Sequence, residues 1–404
     1  MLAWLILGSM LPSLVLCWTA AWLVRRLGPR WGLVDRPGPR KVHAVPMPTS
    51  GGLAIWLGVV GPLAVGQLVL WGLLGFPKVA GTLRVPSAEL EKNLAESTRP
   101  DEVRADGTRS VPATFVAVPE SIARHFPGLL RQSGRLWLLL AGGTVLVALG
   151  LADDRFKLDW RVRLTVQTLV AVVMVACGWR LSTPAGWPWL AAAISVFWIV
   201  GLVNSFNMLD NMDGLSAGVA AIAAAMLAAV AWLAPRPDNH QPQLFVAGLL
   251  LVFLGSLLGF LWHNRPPARL FMGDAGSYLV GYLLAMATLT ATFAGGDLPR
   301  HGVLAPLCVL AVPLYDTASV VWIRVREGRS PFVGDKSHFS HRLVDLGMTK
   351  TQAVLTIYLA TATCGLGALL LHQVDVVGAA VILLLVGCTL LLIAILEITA
   401  RRRG

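Results

Sequence analysis

Apolar runs of membrane-spanning length recur along the chain, separated by short polar connections. In order they cover about 1–24, 52–76, 134–152, 162–178, 188–204, 214–234, 244–262, a stretch opening near Asp274, 302–324, 351–371 and 377–397. Such runs predict transmembrane helices, because a helix satisfies its own backbone hydrogen bonds within lipid. The pattern therefore predicts an all-α polytopic integral membrane protein of about eleven transmembrane helices. One long polar stretch breaks it, residues 77–133, with nearly balanced charge and Pro, Ser and Gly throughout. The expected organisation is a single membrane domain over 1–404, interrupted by a polar extracytoplasmic insertion at 77–133.

Composition agrees, with 56% hydrophobic and only 14% charged residues over 404 positions. The net charge of +11 is concentrated in the short loops, where basic residues set topology and meet anionic lipid headgroups. With the insertion left aside, 21 Lys and Arg fall on one side and three, Arg180, Arg236 and Arg300, on the other, with Arg135 at the outer start of a span. That bias predicts an N-terminus outside and a cytoplasmic C-terminus. Arg25 and Arg26 follow the first apolar run rather than precede it, which predicts a first span and not a signal peptide. No basic stripe interleaved with aromatics appears, so nucleic acid is not an expected partner. The five cysteines are scattered singly through apolar segments and are expected to be buried small hydrophobes.

The candidate chemistry lies where spans meet water. In Asn204-Ser-Phe-Asn207-Met-Leu-Asp210-Asn-Met-Asp213-Gly-Leu215, an amide and two acids recur at spacing three. On a helical turn that spacing puts them on one face, and Gly214 and Gly218 leave room for a ligand or a backbone. Asp153 and Asp154 end the third span, with Arg155 and Lys157 as candidate counter-charges. Asp274 opens a helix that begins Ala-Gly-Ser, where it suits either a cap or a cation site facing a phosphate. Asp316 lies inside an apolar run, roughly 12 Å from its cytoplasmic end, and reads as structural support. A basic, turn-rich loop carries Arg40, Lys41 and His43, and a later one runs Asp335-Lys-Ser-His338-Phe-Ser340-His341-Arg342-Leu343. Two histidines and an arginine so close suit a diphosphate or uridine contact. All these motifs fall on the predicted cytoplasmic face.

Together they resemble the polyprenyl-phosphate N-acetylhexosamine-1-phosphate transferases, over about Asp35 to Leu343 apart from the insertion. The carrying signatures are Arg40-Lys41-Val-His43 with Gly51-Gly52, Asp153-Asp154, Asn204 to Leu215, Phe271-Met-Gly-Asp274, and Asp335 to Leu343. The histidine loop looks closer to the N-acetylglucosamine branch than to the muramoyl-pentapeptide branch, although Ser340 stands where the former commonly has a histidine. The resemblance implies attack by undecaprenyl phosphate on the β-phosphorus of a UDP-N-acetylhexosamine, with release of UMP. It implies Asp153, Asp154, Asp210, Asp213 and Asp274 as catalytic carboxylates. Mg²⁺, or Mn²⁺, would be held by Asp274 and Asp153, with Asp153 also placed as a base. Lys41, His43, Asn204, Asn207, Asn264, Phe271, His338, His341 and Arg342 would bind substrate, Phe271 by stacking on uracil. Direct transfer and an aspartyl intermediate both remain open. The implied setting is the bacterial inner membrane, with lipid as partner, a cytoplasmic site and room for a homodimer. A transporter would be expected to show internal repeats and midplane polar groups. A scaffold would not need acids in separate loops.

Overall fold

The computed structural model describes residues 2–35, 45–74, 132–181, 187–234, 242–293, 298–330 and 337–401. Helix α1 (Leu2–Leu27) leads through a 3₁₀ turn into a two-stranded antiparallel ladder, β1 (Val34–Asp35) with β2 (Met47–Pro48). There follow α2 (Gly51–Leu74), α3 (Ser133–Phe156), α4 (Trp160–Ala176), α5 (Pro188–Leu209), α6 (Leu215–Leu233), α7 (Leu244–Asn264) and α8 (Gly273–Thr290). A 3₁₀ turn (Arg300–Leu304), α9 (Ala305–Val309), α10 (Ala311–Arg326), α11 (Phe339–Asp345), α12 (Lys350–Leu370) and α13 (Val376–Arg401) complete the described chain. Spatial proximity groups residues 1–64 with 132–404 and sets 65–131 apart. Of that second group only 65–74, the end of α2, are described, so residues 77–131 of the expected insertion lie outside the described residues.

Among the described residues, eight helices are long and apolar enough to cross a membrane, or nine if one bent pair is a single span. This is an all-α, multi-pass membrane protein. All eleven predicted runs are helical, but α4, at 17 residues, is short, and α8 carries Asp274, Ser277 and two tyrosines. The run expected over 302–324 is not one straight helix. It breaks at Leu310, and the segments Arg300–Val309 and Ala311–Arg326 meet at 67°. Pro306 and Pro313 flank the break, where a missing N–H and a fixed φ make bending inexpensive.

Helix α8 is the pillar of the bundle, buried on every side from Ala275 to Thr288. A helix apolar around most of its circumference must be enclosed. Close approach is made possible by small residues: a Cβ on Gly259 of α7 would lie 3.0 Å from the Trp18 backbone nitrogen of α1. Three cysteines (Cys17, Cys308, Cys364) are buried as expected, whereas Cys177 and Cys388 are exposed. Cys177 follows the end of α4, and Cys388 lies on α13, where only 17% of the most apolar stretch is buried by the rest of the protein.

Candidate active site

Three helix ends converge where α2 begins, α3 finishes and α8 begins. Gly51 N–H donates to the Phe271 carbonyl at 3.0 Å and Gly52 N–H to Met272 at 2.9 Å, while Phe271 N–H donates to Pro48 at 2.8 Å. A Cβ on Gly52 would sit 2.8 Å from that of Ala275, and one on Gly150 would sit 2.5 Å from the Asp274 carbonyl carbon. Glycine at both positions lets the backbones touch. Gly273, at φ +70°, turns the chain into α8, and a Cβ there would meet Asp154 Oδ2 at 2.5 Å.

Asp153 and Asp154 occupy the last turn of α3, which runs past its expected end to Phe156. Adjacent helical residues point about 100° apart, so the two acids face different partners. Asp153 Oδ1 accepts from Leu158 N–H at 2.9 Å, and its Oδ2 accepts from Arg163 of α4 at 2.9 Å and the Tyr278 hydroxyl of α8 at 3.0 Å. Asp154 Oδ1 accepts from Asp274 N–H at 3.3 Å, and its Oδ2 is buried with no hydrogen-bond partner. No side chain of its own caps α8, and of the two readings of Asp274 the cap does not hold: it lies inside the first turn. Asp154 supplies an acceptor to that helix start from across the bundle. Asp274 Oδ1 accepts from Asn207 Nδ2 at 2.7 Å, and the same amide nitrogen lies 3.0 Å from Ser277 Oγ.

The Asn204–Leu215 motif is not a continuous helical turn. Helix α5 stops at Leu209 and Asp210–Gly214 forms a turn, because Gly214 (φ +76°) takes the left-handed backbone at the start of α6. Asp210 nevertheless faces Asp213 and Asp274; burial first, then repulsion from Asp274 and Asp213, pushes its carboxyl up to about 7. Asp213 accepts from Ala268 N–H at 2.9 Å. The room beside Gly218 is filled by the Tyr358 ring of α12, whose hydroxyl donates to the Gly214 carbonyl at 2.5 Å. Asn264 is buried between Gly214 N–H (2.9 Å) and the Leu270 carbonyl (2.9 Å) and ties two loops together. Asn204 Nδ2 donates to Gln167 of α4 at 2.7 Å and to the Val200 carbonyl at 2.8 Å. The half-buried Phe271 is fixed through its backbone bonds to Pro48 and Gly51.

The histidine segment, expected as a loop, forms the short helix α11. Buried Asp316 of α10 accepts Phe339 N–H at 2.7 Å and faces His338 Nδ1 at 3.0 Å, which anchors the helix start. Ser340 Oγ bonds Asn211 Oδ1, and Arg342 donates to Ser319 at 2.8 Å. His341 is half-buried. Asp316 thus has the supporting role expected of it. Lys41 and His43, like Arg40 and Asp335, lie outside the described residues.

Arg163, Tyr278, Gly150 and Thr49 escaped the sequence reading. Tyr278 had a signal, a hydroxyl one turn after Asp274 within an apolar run. Thr49 Oγ1 is buried without a partner in the residue whose carbonyl packs on Gly273. Among the described residues, no three His, Cys, Asp or Glu side chains are grouped to hold a metal ion by themselves. Asp154, with its orphaned oxygen, and Asp274 offer a two-carboxylate set. Such a set fits a hard divalent cation that takes its other oxygen ligands from phosphate and water.

Comparison with known proteins places the chain in a family. The profile of glycosyl transferase family 4 matches residues 136–292. The chain is 28% identical over 362 residues to a probable undecaprenyl-phosphate N-acetylglucosaminyl 1-phosphate transferase of Bacillus subtilis, covering 88% of this chain and 81% of that protein. It is 30% identical over 378 residues to the decaprenyl-phosphate N-acetylglucosaminephosphotransferase of Mycobacterium tuberculosis, covering 89% and 80%. The undecaprenyl-phosphate alpha-N-acetylglucosaminyl 1-phosphate transferase of Escherichia coli is 31% identical over 234 residues, 56% of this chain and 62% of that protein. The chain belongs to glycosyl transferase family 4, the polyprenyl-phosphate N-acetylhexosamine-1-phosphate transferases.

Proposed function

We propose that the protein transfers N-acetylglucosamine 1-phosphate from UDP-N-acetylglucosamine to undecaprenyl phosphate, releasing UMP. The observation that carries this reading is the meeting of Asp153, Asp154, Asp210, Asp274 and Asn207 where α3, α5 and α8 end or begin. The names of the relatives supply the substrate class. An oxygen of the lipid phosphate bonds to the β-phosphorus, the bond to the bridging oxygen breaks, and UMP leaves with the electron pair. The lipid phosphate is already anionic at neutral pH, so orientation contributes more than proton removal.

Asp274 and Asp154 are the residues that would hold Mg²⁺ or Mn²⁺, Asp154 being favoured over Asp153 because Arg163, Tyr278 and Leu158 already engage both Asp153 oxygens. When bound, the cation supplies charge neutralisation for the diphosphate and the departing UMP. Asn207 holds Asp274 in place, and Asp153, gripped by Arg163, would lie beside the lipid phosphate. The prenyl chain stays in the bilayer, and the sugar nucleotide approaches from the aqueous side near His338, His341 and Arg342. The same proposal places eleven spans in the bacterial inner membrane, with the N-terminus outside and the site cytoplasmic. The break in the α9–α10 span is lined by apolar residues around Leu310, which does not favour a transport pathway.

The deciding assay supplies purified protein with undecaprenyl phosphate, Mg²⁺ and a panel of UDP-sugars. UMP is expected with UDP-N-acetylglucosamine, to disappear in EDTA, and to be absent with UDP-N-acetylmuramoyl-pentapeptide. Turnover of the pentapeptide substrate would move the protein to the peptidoglycan branch. No UMP with any sugar would overturn the transferase reading, and undiminished turnover in EDTA would overturn the cation.

A further inference from the structure

We infer that Tyr278 is a positioning residue, which acts on the reaction only through Asp153. This rests on the transferase reading above. Tyr278 is 1% exposed, within the helix most enclosed by the bundle. A buried hydroxyl is costly unless paired, and a phenylalanine would fill the same space without that cost. The partner of this hydroxyl is not a backbone carbonyl but Asp153 Oδ2, at 3.0 Å. Tyr278 lies four residues after Asp274, about 6 Å along one face of α8. One helix therefore carries an acid of the site and, a turn deeper, the group that fixes a second acid on α3. The rise of α8 sets the separation of Asp153 from Asp274.

The circuit closes through the neighbouring helices. Arg163 of α4 grips Asp153, and Gln167, one turn along α4, accepts from Asn204 of α5 at 2.7 Å. Asn207, one turn on from Asn204, donates to Asp274. In this circuit every other side-chain strut is an amide or a guanidinium on α4 or α5. Tyr278 is the side-chain strut from the helix of Asp274 to Asp153 on α3.

The fold supplies its own control. Tyr282, the next residue on the same face, is also fully buried, and its hydroxyl also reaches α3, but it donates to the Leu139 carbonyl at 2.9 Å. Both Tyr→Phe variants remove one buried hydroxyl bond between α8 and α3. They differ in whether the partner belongs to the site.

The test compares Tyr278→Phe, Tyr282→Phe, Asp153→Asn and Asp153→Asn/Tyr278→Phe in the intact protein. Tyr278→Phe is expected to lower kcat by about 10-fold with both KM values unchanged, while Tyr282→Phe stays within about twofold. The double variant is expected to equal Asp153→Asn, because a residue acting only through Asp153 has nothing left to position. A loss in Tyr278→Phe of under twofold, or one that multiplies with that of Asp153→Asn, would overturn the inference. A second readout needs no turnover: dicyclohexylcarbodiimide modification of Asp153, followed by peptide mass spectrometry. Freed from its hydroxyl, Asp153 is expected to react several-fold faster in Tyr278→Phe but not in Tyr282→Phe; equal rates in the two would count against it. Wild-type protein that releases no UMP would condemn the transferase reading, and the carbodiimide experiment would still decide this one.

Discussion

Gly150→Ala tests whether the acids work through the geometry of the α3–α8 crossing. The substitution adds one methyl group, four residues before Asp154. In the structure that methyl would fall against the Ala275 backbone and 2.5 Å from the Asp274 carbonyl carbon. Non-bonded carbons prefer about 3.5–4.0 Å, so the two helices must part by roughly 1 Å. Backbone cannot swing aside as a side-chain tip can, and overpacking of this kind costs about 1–3 kcal/mol. The same shift carries Asp154 away from the Asp274 N–H, a bond already 3.3 Å long. A misplacement of about 1 Å can cost on the order of 10²-fold in rate. UMP release by Gly150→Ala is therefore expected to fall about 30- to 100-fold, with the protein still folded and its melting temperature lowered by several degrees. The companion is Gly201→Ala on α5, where nothing lies within 4 Å of the added carbon. It should keep its rate within about twofold and gain up to ~1 kcal/mol, the helix propensity difference between Gly and Ala. A Gly150→Ala protein with wild-type turnover would refute the reasoning, because the crossing would then tolerate parting without loss of the site.

Two further outcomes are expected. Asp210, pushed up to about 7 by burial and by Asp274 and Asp213, is raised above its unfolded value, so the metal-free fold is favoured at low pH and loses stability as pH rises from about 4 through 7. Asp210→Asn should be more stable than wild type at pH 8 by about 1–2 kcal/mol, since the side chain keeps some solvent contact that screens the repulsion, and no more stable at pH 4; equal stability at both pH values would remove the proposed repulsion. The orientation is checked by a cysteine at Ser97 in a background lacking the native cysteines: an impermeant reagent should label it in intact cells, and labelling only after lysis would reverse the topology.

Much of the fold was legible because lipid simplifies the code. Each predicted run became helical, most within a few residues of the expected ends, since a stretch of about twenty apolar residues has one good solution in a bilayer. The failures fall where that rule stops. Nothing in the hydropathy of 302–324 marks a break at Leu310, although two prolines permit it. Spacing three in Asn207, Asp210 and Asp213 matches a helical face, yet Gly214 at positive φ turns the chain and brings the acids together through a turn. Gly218 looked like space for a ligand, and the occupant is Tyr358, which lies 140 positions further along the chain. Arg163 and Gln167 were invisible for the same reason, and the hydroxyl of Tyr278 gave no sign of its partner. Their meaning lies in which helices are neighbours, and one apolar helix carries little sign of the next.

The charges of the site are legible in another way, by asking what answers each one. An acid near a bilayer is expensive unless a cation or several N–H groups meet it. Asp316, the acid placed deepest in an apolar run, is answered by His338 and Phe339 N–H, and it anchors α11. Asp153 is answered by Arg163, Tyr278 and Leu158 N–H. Asp274 is answered by Asn207 and by its place in the first turn of α8, where the helix dipole favours negative charge. Asp154 is answered on one oxygen alone, and among the described residues it is the one acid with a buried, unpartnered oxygen. Packing that satisfies these three acids and leaves an oxygen of Asp154 without a partner beside the Gly273 turn is not economical for folding. It suits the cation proposed above, which would neutralise that oxygen and meet the diphosphate with its remaining ligand positions.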